Sequence, residues 1–132
     1  MNEIIKSLHA RKSTRAFEEH PISPEDKIAI LLAATAASSP GNQQLYSILD
    51  ITDQTLKNTL AVSCDDQPFI ATAPMMLIFV ADCRKWFDAY ESIGLAPRKP
   101  GPGDIALSVV DACLAAQNAV TAAQSLGISS CY

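Results

Sequence analysis

An alanine-rich apolar segment, residues 104–126, most constrains what this chain can fold into. Its periodicity predicts one helix of about 34 Å, at about 1.5 Å per residue. Seven positions from Ala106 to Ala123 are alanine. Because small side chains let other backbones approach closely on almost every side, we predict that this helix lies at the centre of the fold and that part of its surface can meet a second subunit.

The two sides of this predicted helix differ in polarity. One side carries Val109, Val110, Cys113, Leu114, Gln117, Val120 and Gln124. The opposite side is a narrow polar stripe of Ser108, Asp111, Asn118, Thr121 and Ser125. Polar side chains at four positions would be costly in lipid, so the segment is not predicted to span a membrane; these are Asp111, Gln117, Asn118 and Gln124.

Helices and strands alternate along the rest of the chain. Helices are predicted over residues 3–9 and 24–37, from Asp53 to about residue 62, and after Asp82; strands are predicted over residues 45–52 and 74–81. Asn2, Ser23 and Asp53 stand where helix N-caps are expected. The second strand is a continuous apolar run, which is typical of a strand buried on both faces in the middle of a sheet.

Composition is that of one globular domain, and we assign residues 1–132 to it. The chain has 132 residues, of which 48% are hydrophobic and 18% charged. The net charge of −4 favours neither nucleic acid nor an anionic membrane, so an anionic ligand needs a local basic cluster. The four cysteines lack metal-site spacing, which argues against a zinc site and a disulfide scaffold. With no signal peptide visible, a cytoplasmic location is expected.

The densest basic cluster runs from Arg11 to Arg15 and is followed by Phe17. Arginine suits bidentate contact with a phosphate, and serine adds a further donor. In an extended segment Arg11, Ser13 and Arg15 would point to the same side, because side chains alternate along a strand. A short basic run is more often a solvated surface, so the segment by itself favours that interpretation over an anion site.

A polar loop follows the second predicted helix. Pro40 and Gly41 cannot continue a helix, and short polar side chains are dense over residues 37–44. The amides of Asn42 and Gln44 offer donors and acceptors that suit the edge of a heteroaromatic ring. An ordinary helix-ending loop explains the same residues equally well.

Three motifs in order resemble those of the FMN-dependent nitroreductase family. They are Arg-Lys-Ser-x-Arg-x-Phe at residues 11–17, Ser-Pro-x-Asn-x-Gln at residues 39–44, and the alanine-rich helix that ends at Leu126-Gly127. The resemblance covers nearly the whole chain and is greatest to the longer oxygen-insensitive NADPH nitroreductases and flavin reductases. It implies an α+β fold, in which an antiparallel or mixed sheet is flanked by helices around a long central helix.

The resemblance also implies a function. Members of this family hold FMN at a homodimer interface and pass hydride from NAD(P)H through the flavin to a small electron acceptor, such as a nitroaromatic, a quinone or a free flavin, in ping-pong fashion. NADH and NADPH are equally compatible with the sequence. Because the flavin carries the redox chemistry, no catalytic acid–base pair is expected.

Residues that match the family's motifs are the expected cofactor site. Those matching the phosphate and ribityl contacts are Arg11, Lys12, Ser13 and Arg15. Those matching the loop along the flavin ring, often contributed by the other subunit, are Ser38, Ser39, Pro40, Asn42 and Gln44. Gln67 resembles a glutamine that reaches the flavin's pyrimidine edge.

The family pattern continues past the point where this sequence ends at Tyr132. Family members carry on with a glycine-containing turn, further strands and a C-terminal extension. The fold is therefore expected to be incomplete at its C-terminus. A non-catalytic flavin- or nucleotide-binding module, or an assembly module that uses the alanine-rich helix, is the alternative function.

Overall fold

The computed structural model describes residues 1–132 as six helices and two strands. In chain order they are α1 (Glu3–Ala10), α2 (Pro24–Thr35), β1 (Tyr46–Asp50), α3 (Gln54–Ser63), α4 (Phe69–Thr72), β2 (Leu77–Ala81), α5 (Lys85–Ser92) and α6 (Pro102–Ser125). The predicted α+β fold with one long helix near its C-terminus is confirmed.

Side chains cap three of the helices at the predicted positions. Asn2 accepts a hydrogen bond from the first turn of α1 at 3.0 Å, Ser23 from that of α2 at 3.0 Å, and Asp53 from that of α3 at 2.7 Å. Each cap pairs a backbone N–H that would otherwise lack a partner at the helix start.

Helix α6 lies against α1, α2 and both strands. Ala119 and Ala123 form a buried cluster with Ile30 and Ala34 of α2. Because four small or β-branched residues meet there, the two helix backbones can approach closely. The prediction that the alanine-rich helix is central is confirmed.

Strands β1 and β2 form a two-stranded antiparallel sheet, with Tyr46 opposite Ala81 and Asp50 opposite Leu77. The prediction that the second strand lies buried in the middle of a sheet is wrong. Phe79 and Ile78 lie on opposite faces of β2; Phe79 packs against the core formed with α6, and both residues also line an open cleft. Both faces of β2 are therefore apolar although neither is fully buried.

Only the first part of the predicted polar stripe of α6 faces inward, whereas Asn118 and Thr121 are half-buried and Ser125 is exposed. Ser108 and Asp111 are each 1% exposed, whereas Val109 is 48% and Val110 is 51% exposed. This is the reverse of an ordinary surface helix, whose apolar side faces the core. The first half of α6 thus presents an apolar surface and buries two polar groups.

By length and composition alone, α6 could cross a membrane. Core helices of soluble proteins meet the same criterion, and α6 packs against α2 and the sheet. The buried carboxylate of Asp111 also accepts hydrogen bonds from the chain around residues 39–45. Its polar positions therefore serve contacts within the fold.

Candidate functional site

The basic segment, residues 11–15, is extended and pairs with the end of the chain. Ser13 forms a parallel bridge with Ser130, and the amide of Thr14 donates to the carbonyl of Ser130 at 3.0 Å. Arg11 and Arg15 are exposed, while Thr14 is half-buried beside an open cleft. The alternation of an extended segment therefore keeps both arginines available to a ligand.

Phe69, the first residue of α4, holds one of these arginines. The guanidinium carbon of Arg15 lies 5.9 Å from the centre of the Phe69 ring. Phe17 supports that ring at 6.4 Å between centroids and 58° between planes. A cation over an aromatic face is attracted by the ring's quadrupole. Phe69 did not emerge from the sequence, where its only signal is an aromatic residue two positions after Gln67.

Gln67 lies next to this pair. Its side-chain Nε2 donates to the carbonyl of Cys64 at 2.8 Å, which fixes the amide against the end of α3. Gln67, Phe17 and Phe69 line the same cleft. The structure therefore brings one predicted phosphate contact and one predicted ring contact to a common region.

The cleft itself is open, mostly apolar and about 1460 Å³ in volume. Residues of β2 and α6, such as Phe79 and Val120, form much of its wall. Thr14 and Gln67 are among its polar residues, which also include Glu18 and Asp26. A cavity of this kind suits a flat, largely apolar group that has a polar edge.

The ring loop, residues 38–44, contains a short 3-10 turn over Pro40–Asn42. Gly41, Asn42 and Gln44 all have positive φ, at 58°, 53° and 50°. Left-handed backbone costs about 1–2 kcal/mol at a residue other than glycine. The loop therefore needs contacts that hold its shape.

Hydrogen bonds supply those contacts from two sides. Ser39 Oγ accepts from the amide of Gln44 at 2.8 Å and donates to Asp111 Oδ2 at 2.7 Å. On the other side, Lys85 Nζ donates to the carbonyl of Gln44 at 2.8 Å and Trp86 Nε1 to that of Gln43 at 2.7 Å. The side-chain amide of Gln44 donates back to α2, whereas Ser38, Pro40 and Asn42 remain exposed.

Asp111, Lys85 and Trp86 were not predicted to belong to the site. Asp111 appeared in the sequence only as one member of the polar stripe of α6. Its signal was a lone carboxylate in an alanine-rich helix, a residue that is seldom buried without a partner. Lys85 and Trp86 carried no signal, because their contacts are to backbone carbonyls 41 to 43 positions away.

The basic segment and the ring loop lie on different sides of α6. Asp111 and Asn118, two turns apart, contact the ring loop and the end of α2. Gln117 and Gln124, also two turns apart, contact Tyr132 at the end of the chain and the backbone of α1. Because neighbouring positions of a helix are about 100° apart around its axis, Gln117 and Gln124 lie on a different side of α6 from Asp111 and Asn118. None of residues 38–44 lines the cleft beside the basic segment.

Arg11 lies near the end of the chain. Burial raises the pKa of the Tyr132 hydroxyl, and the positive charge of Arg11 partly opposes this shift. Tyr132 Oη also lies 3.4 Å from Gln117 Oε1. The first arginine is thus close to the last residue, along the same side of α6. No group of three or more His, Cys, Asp or Glu side chains is arranged to hold a metal ion.

Comparison with known proteins agrees with this architecture. The nitroreductase family model matches residues 8–132. The chain belongs to the nitroreductase family. It is 30% identical over its whole length to the FMN reductase (NADPH) of Bacillus subtilis and 33% identical to the oxygen-insensitive NADPH nitroreductase of Salmonella typhimurium, covering 54% and 53% of those proteins. The chain thus spans about half the length of these curated relatives.

Solved structures of this family share the fold. The NfrA1 nitroreductase of Bacillus subtilis superimposes with a TM-score of 0.90 at 28% identity, over 95% of this chain and 51% of that one. The NADPH:FMN oxidoreductase of Vibrio harveyi, solved in complex with NAD+, has a TM-score of 0.86 at 30% identity, over 96% of this chain and 53% of that one. The family resemblance drawn from the three sequence motifs is confirmed.

Proposed function

We propose that the chain is the FMN-binding part of an oxidoreductase that passes hydride from NAD(P)H to a small electron acceptor such as a nitroaromatic, a quinone or a free flavin. Relatives named FMN reductase and oxygen-insensitive NADPH nitroreductase support this assignment. The observation that carries it is the position of Arg15 above Phe69, beside Gln67 and the cleft, in a chain of this family.

The basic segment fits a phosphate group. Arg11, Lys12, Ser13 and Arg15 are exposed, and the segment is held extended by its bridge to Ser130. Two guanidinium groups and a hydroxyl on one side of an extended segment can bind one phosphate with charge-assisted hydrogen bonds. Phe69 restrains Arg15, so less side-chain entropy is lost on binding.

The ring loop fits the edge of a heteroaromatic ring. Ser38, Pro40 and Asn42 are exposed, while Ser39 and Gln44 are held by hydrogen bonds within the fold. We assign Asn42 and Ser38 as direct ring contacts, and Ser39, Pro40 and Gln44 as the residues that shape the loop. Gln67 lines the cleft and its Nε2 is held by the carbonyl of Cys64, so its side-chain oxygen is the atom left to accept a hydrogen bond from a ligand.

Two copies of the chain would be needed to bring these parts together. The ring loop and the basic segment lie on different sides of α6, so a single chain does not place them around one ligand. The exposed apolar side of α6, which includes Val109, Val110 and Leu114, is suited to pairing with a second copy. We therefore propose a homodimer in which the loop of one chain meets the basic segment of its partner.

Bound FMN would supply the hydride-accepting and hydride-donating chemistry through which NAD(P)H and the acceptor react in turn at one site. The residues of the protein would bind the cofactor and orient its ring. Arg11 and Arg15 would neutralise the phosphate and anchor it, and the amide of Asn42 would direct the ring edge. The apolar wall of the cleft would limit water around the bound ring.

A second candidate is a non-catalytic flavin- or nucleotide-binding module, or an assembly module built on α6. The separation of the two predicted contact groups within one chain favours it. A cytoplasmic location is proposed as well, and it is consistent with four free cysteines.

The visible spectrum of the purified chain, loaded with FMN and then desalted, tests the proposal. Retained flavin absorbance that bleaches when NADPH is added without oxygen supports the reductase. Retained flavin that NADPH and NADH both leave oxidised supports the binding module instead. Loss of all flavin on desalting, together with no quenching of FMN fluorescence in titration, would contradict both flavin proposals and leave the assembly module.

A further inference from the structure

The carboxylate of Asp111 is buried in an unusual way. The residue is 1% exposed, and no basic side chain forms an ion pair with it. Its Oδ2 accepts from Ser39 Oγ at 2.7 Å and from the amide of Leu45 at 3.0 Å, while Oδ1 is buried without any partner. Burying an unpaired carboxylate opposes folding, so its place in the middle of α6 calls for a compensating role.

Both bonds of Asp111 end on the ring loop and its junction with β1. Ser39 relays the first bond, because its Oγ also accepts from the amide of Gln44 at 2.8 Å. Gln44 and Asn42 have φ of 50° and 53°, a backbone region that side chains disfavour. The carboxylate therefore ties both ends of a loop whose backbone would otherwise relax to more common conformations.

We propose that Asp111 is the positioning residue of the ring loop, and that it holds Ser38 and Asn42 in the shape required to receive the edge of a flavin ring. This inference rests on the function proposed above and adds a residue to it. Asp111 touches no ligand in this arrangement and acts through Ser39 and the amide of Leu45.

Ser108 provides a matched control. It lies one turn before Asp111 on the same side of α6 and is equally buried, at 1% exposed. Its hydroxyl donates only to the carbonyl of Ile105 in its own helix, at 2.8 Å. Replacing it removes a buried polar group from α6 without touching the ring loop.

Amide hydrogen exchange of the 132-residue chain tests the proposal without any flavin. In Asp111→Ala, amide exchange over residues 39–45 is expected to speed up by roughly 10- to 100-fold, since the two hydrogen bonds that the carboxylate accepts are lost. Ser39→Ala is expected to act in the same segment, and it keeps the test open should Asp111→Ala fail to fold. Ser108→Ala should leave this segment unchanged.

Asp111→Asn separates hydrogen bonding from charge. It keeps an oxygen that can accept from Ser39 and from the amide of Leu45, so it should retain more protection of the loop than Asp111→Ala. If Asp111→Asn and Asp111→Ala lose the same amount of amide protection over residues 39–45, the proposal that Asp111 acts through these hydrogen bonds is overturned. Two results for Asp111→Ala would overturn the positioning role. One is amide exchange that speeds up evenly along the whole chain, and the other is a ring loop that stays as protected as in Ser108→Ala.

Titration with FMN, followed by quenching of its fluorescence, links the loop to the ligand. The Kd of Asp111→Ala for FMN is expected to rise at least about tenfold over that of Ser108→Ala. A loosened loop with an unchanged Kd would overturn the link to the flavin. If the wild-type chain binds no FMN, the proposed function fails, whereas exchange over residues 39–45 still decides whether Asp111 sets the loop's shape.

Discussion

The guanidinium of Arg15 lies 5.9 Å from the centre of the Phe69 ring, across a gap of 54 positions in sequence. Phe17, two residues after the arginine, packs against the same ring, with 6.4 Å between the two ring centroids. The basic segment is thus anchored at its cation and at the apolar residue that follows it. An arginine restrained in this way keeps its N–H donors for a phosphate, because a cation–π contact uses none of them as a hydrogen bond.

Replacing Phe69 with leucine is expected to weaken FMN binding by roughly two- to fivefold. The change keeps an apolar side chain but removes the aromatic face, which is worth about 0.5–1 kcal/mol at an exposed site. Fluorescence titration gives the Kd. The control is Phe87→Leu, which removes the same kind of contact beneath Arg98, at 5.2 Å, away from the basic segment. Equal Kd values in the two variants would contradict the role of Phe69.

Replacing Arg11 and Arg15 together with alanine is expected to abolish FMN retention on desalting and to weaken binding at least about 100-fold, because two charge-assisted contacts are lost. Both side chains are exposed, so the thermal midpoint should change little. Arg84→Ala with Lys99→Ala makes the same change in net charge elsewhere on the surface. Unchanged flavin stoichiometry in the Arg11 and Arg15 variant would contradict the assignment.

The helices and their caps could be predicted because their signals are local. A serine before Pro24 or an asparagine before Glu3 acts within one turn, and the structure has both caps. The extended basic segment followed equally from its place after a short helix. Its pairing with Ser130 could not, since a partner 117 residues away leaves no periodic signal.

Two other features could not be predicted from the sequence, and the reason is different. Apolar periodicity separates two sides of α6, but it does not say which side is inside, and here Asp111 is buried while Val110 is exposed. Apolar composition likewise placed β2 in the middle of a sheet, although an open cleft faces part of it. In both cases hydrophobic residues mark a surface that this chain by itself leaves uncovered.

Val109→Glu is expected to prevent dimer formation. Val109 is 48% exposed on the apolar side of α6, and a charge placed inside an apolar interface would be buried without a partner. Sedimentation of the wild-type chain should give a dimer, and the variant should be monomeric. Val62→Glu is the control, since Val62 is 68% exposed on α3, away from that surface. A monomeric wild-type chain would contradict the homodimer.

Asp104→Asn is expected to make the thermal midpoint of the protein less sensitive to acid. Hydrogen bonds from the Arg98 side chain and then from the amide of Gly101 lower the pKa of Asp104 from 3.8 to about 2. A carboxylate with a lowered pKa stabilises the fold above its unfolded pKa, and this contribution is lost as the pH falls from about 4 toward 2. The thermal midpoint should therefore drop more steeply over that range in the wild type than in the variant.

Salt and a second carboxylate sharpen the Asp104 experiment. Arg98 is 68% exposed, so added salt should reduce the difference between the wild type and Asp104→Asn. Glu19→Gln changes an exposed carboxylate that forms no ion pair in this fold, and its acid profile should follow the wild type. Parallel profiles for all three proteins would contradict the role of the Arg98–Asp104 pair.

Tyr46→Phe is expected to stabilise the protein by roughly 1 kcal/mol. Tyr46 is buried, and its hydroxyl oxygen has no hydrogen-bond partner. A buried polar group without a partner carries an unrepaid desolvation cost, which the phenylalanine ring of the same shape avoids. Urea unfolding measures the change. Tyr90→Phe is the control, because Tyr90 is 46% exposed and water can reach its side chain.

At high pH the free energy of unfolding should differ more between the wild type and Tyr46→Phe than it does at neutral pH. Burial, and to a lesser extent the charge of Asp111, raise the pKa of Tyr46 above its ordinary value of 10.0. A group with a raised pKa gives its full contribution below its unfolded pKa and loses it as the pH rises toward the folded pKa. Above about pH 10 the wild type should therefore lose stability that Tyr46→Phe keeps. A variant that is less stable than the wild type at neutral pH would mean that the hydroxyl of Tyr46 does have a partner in solution.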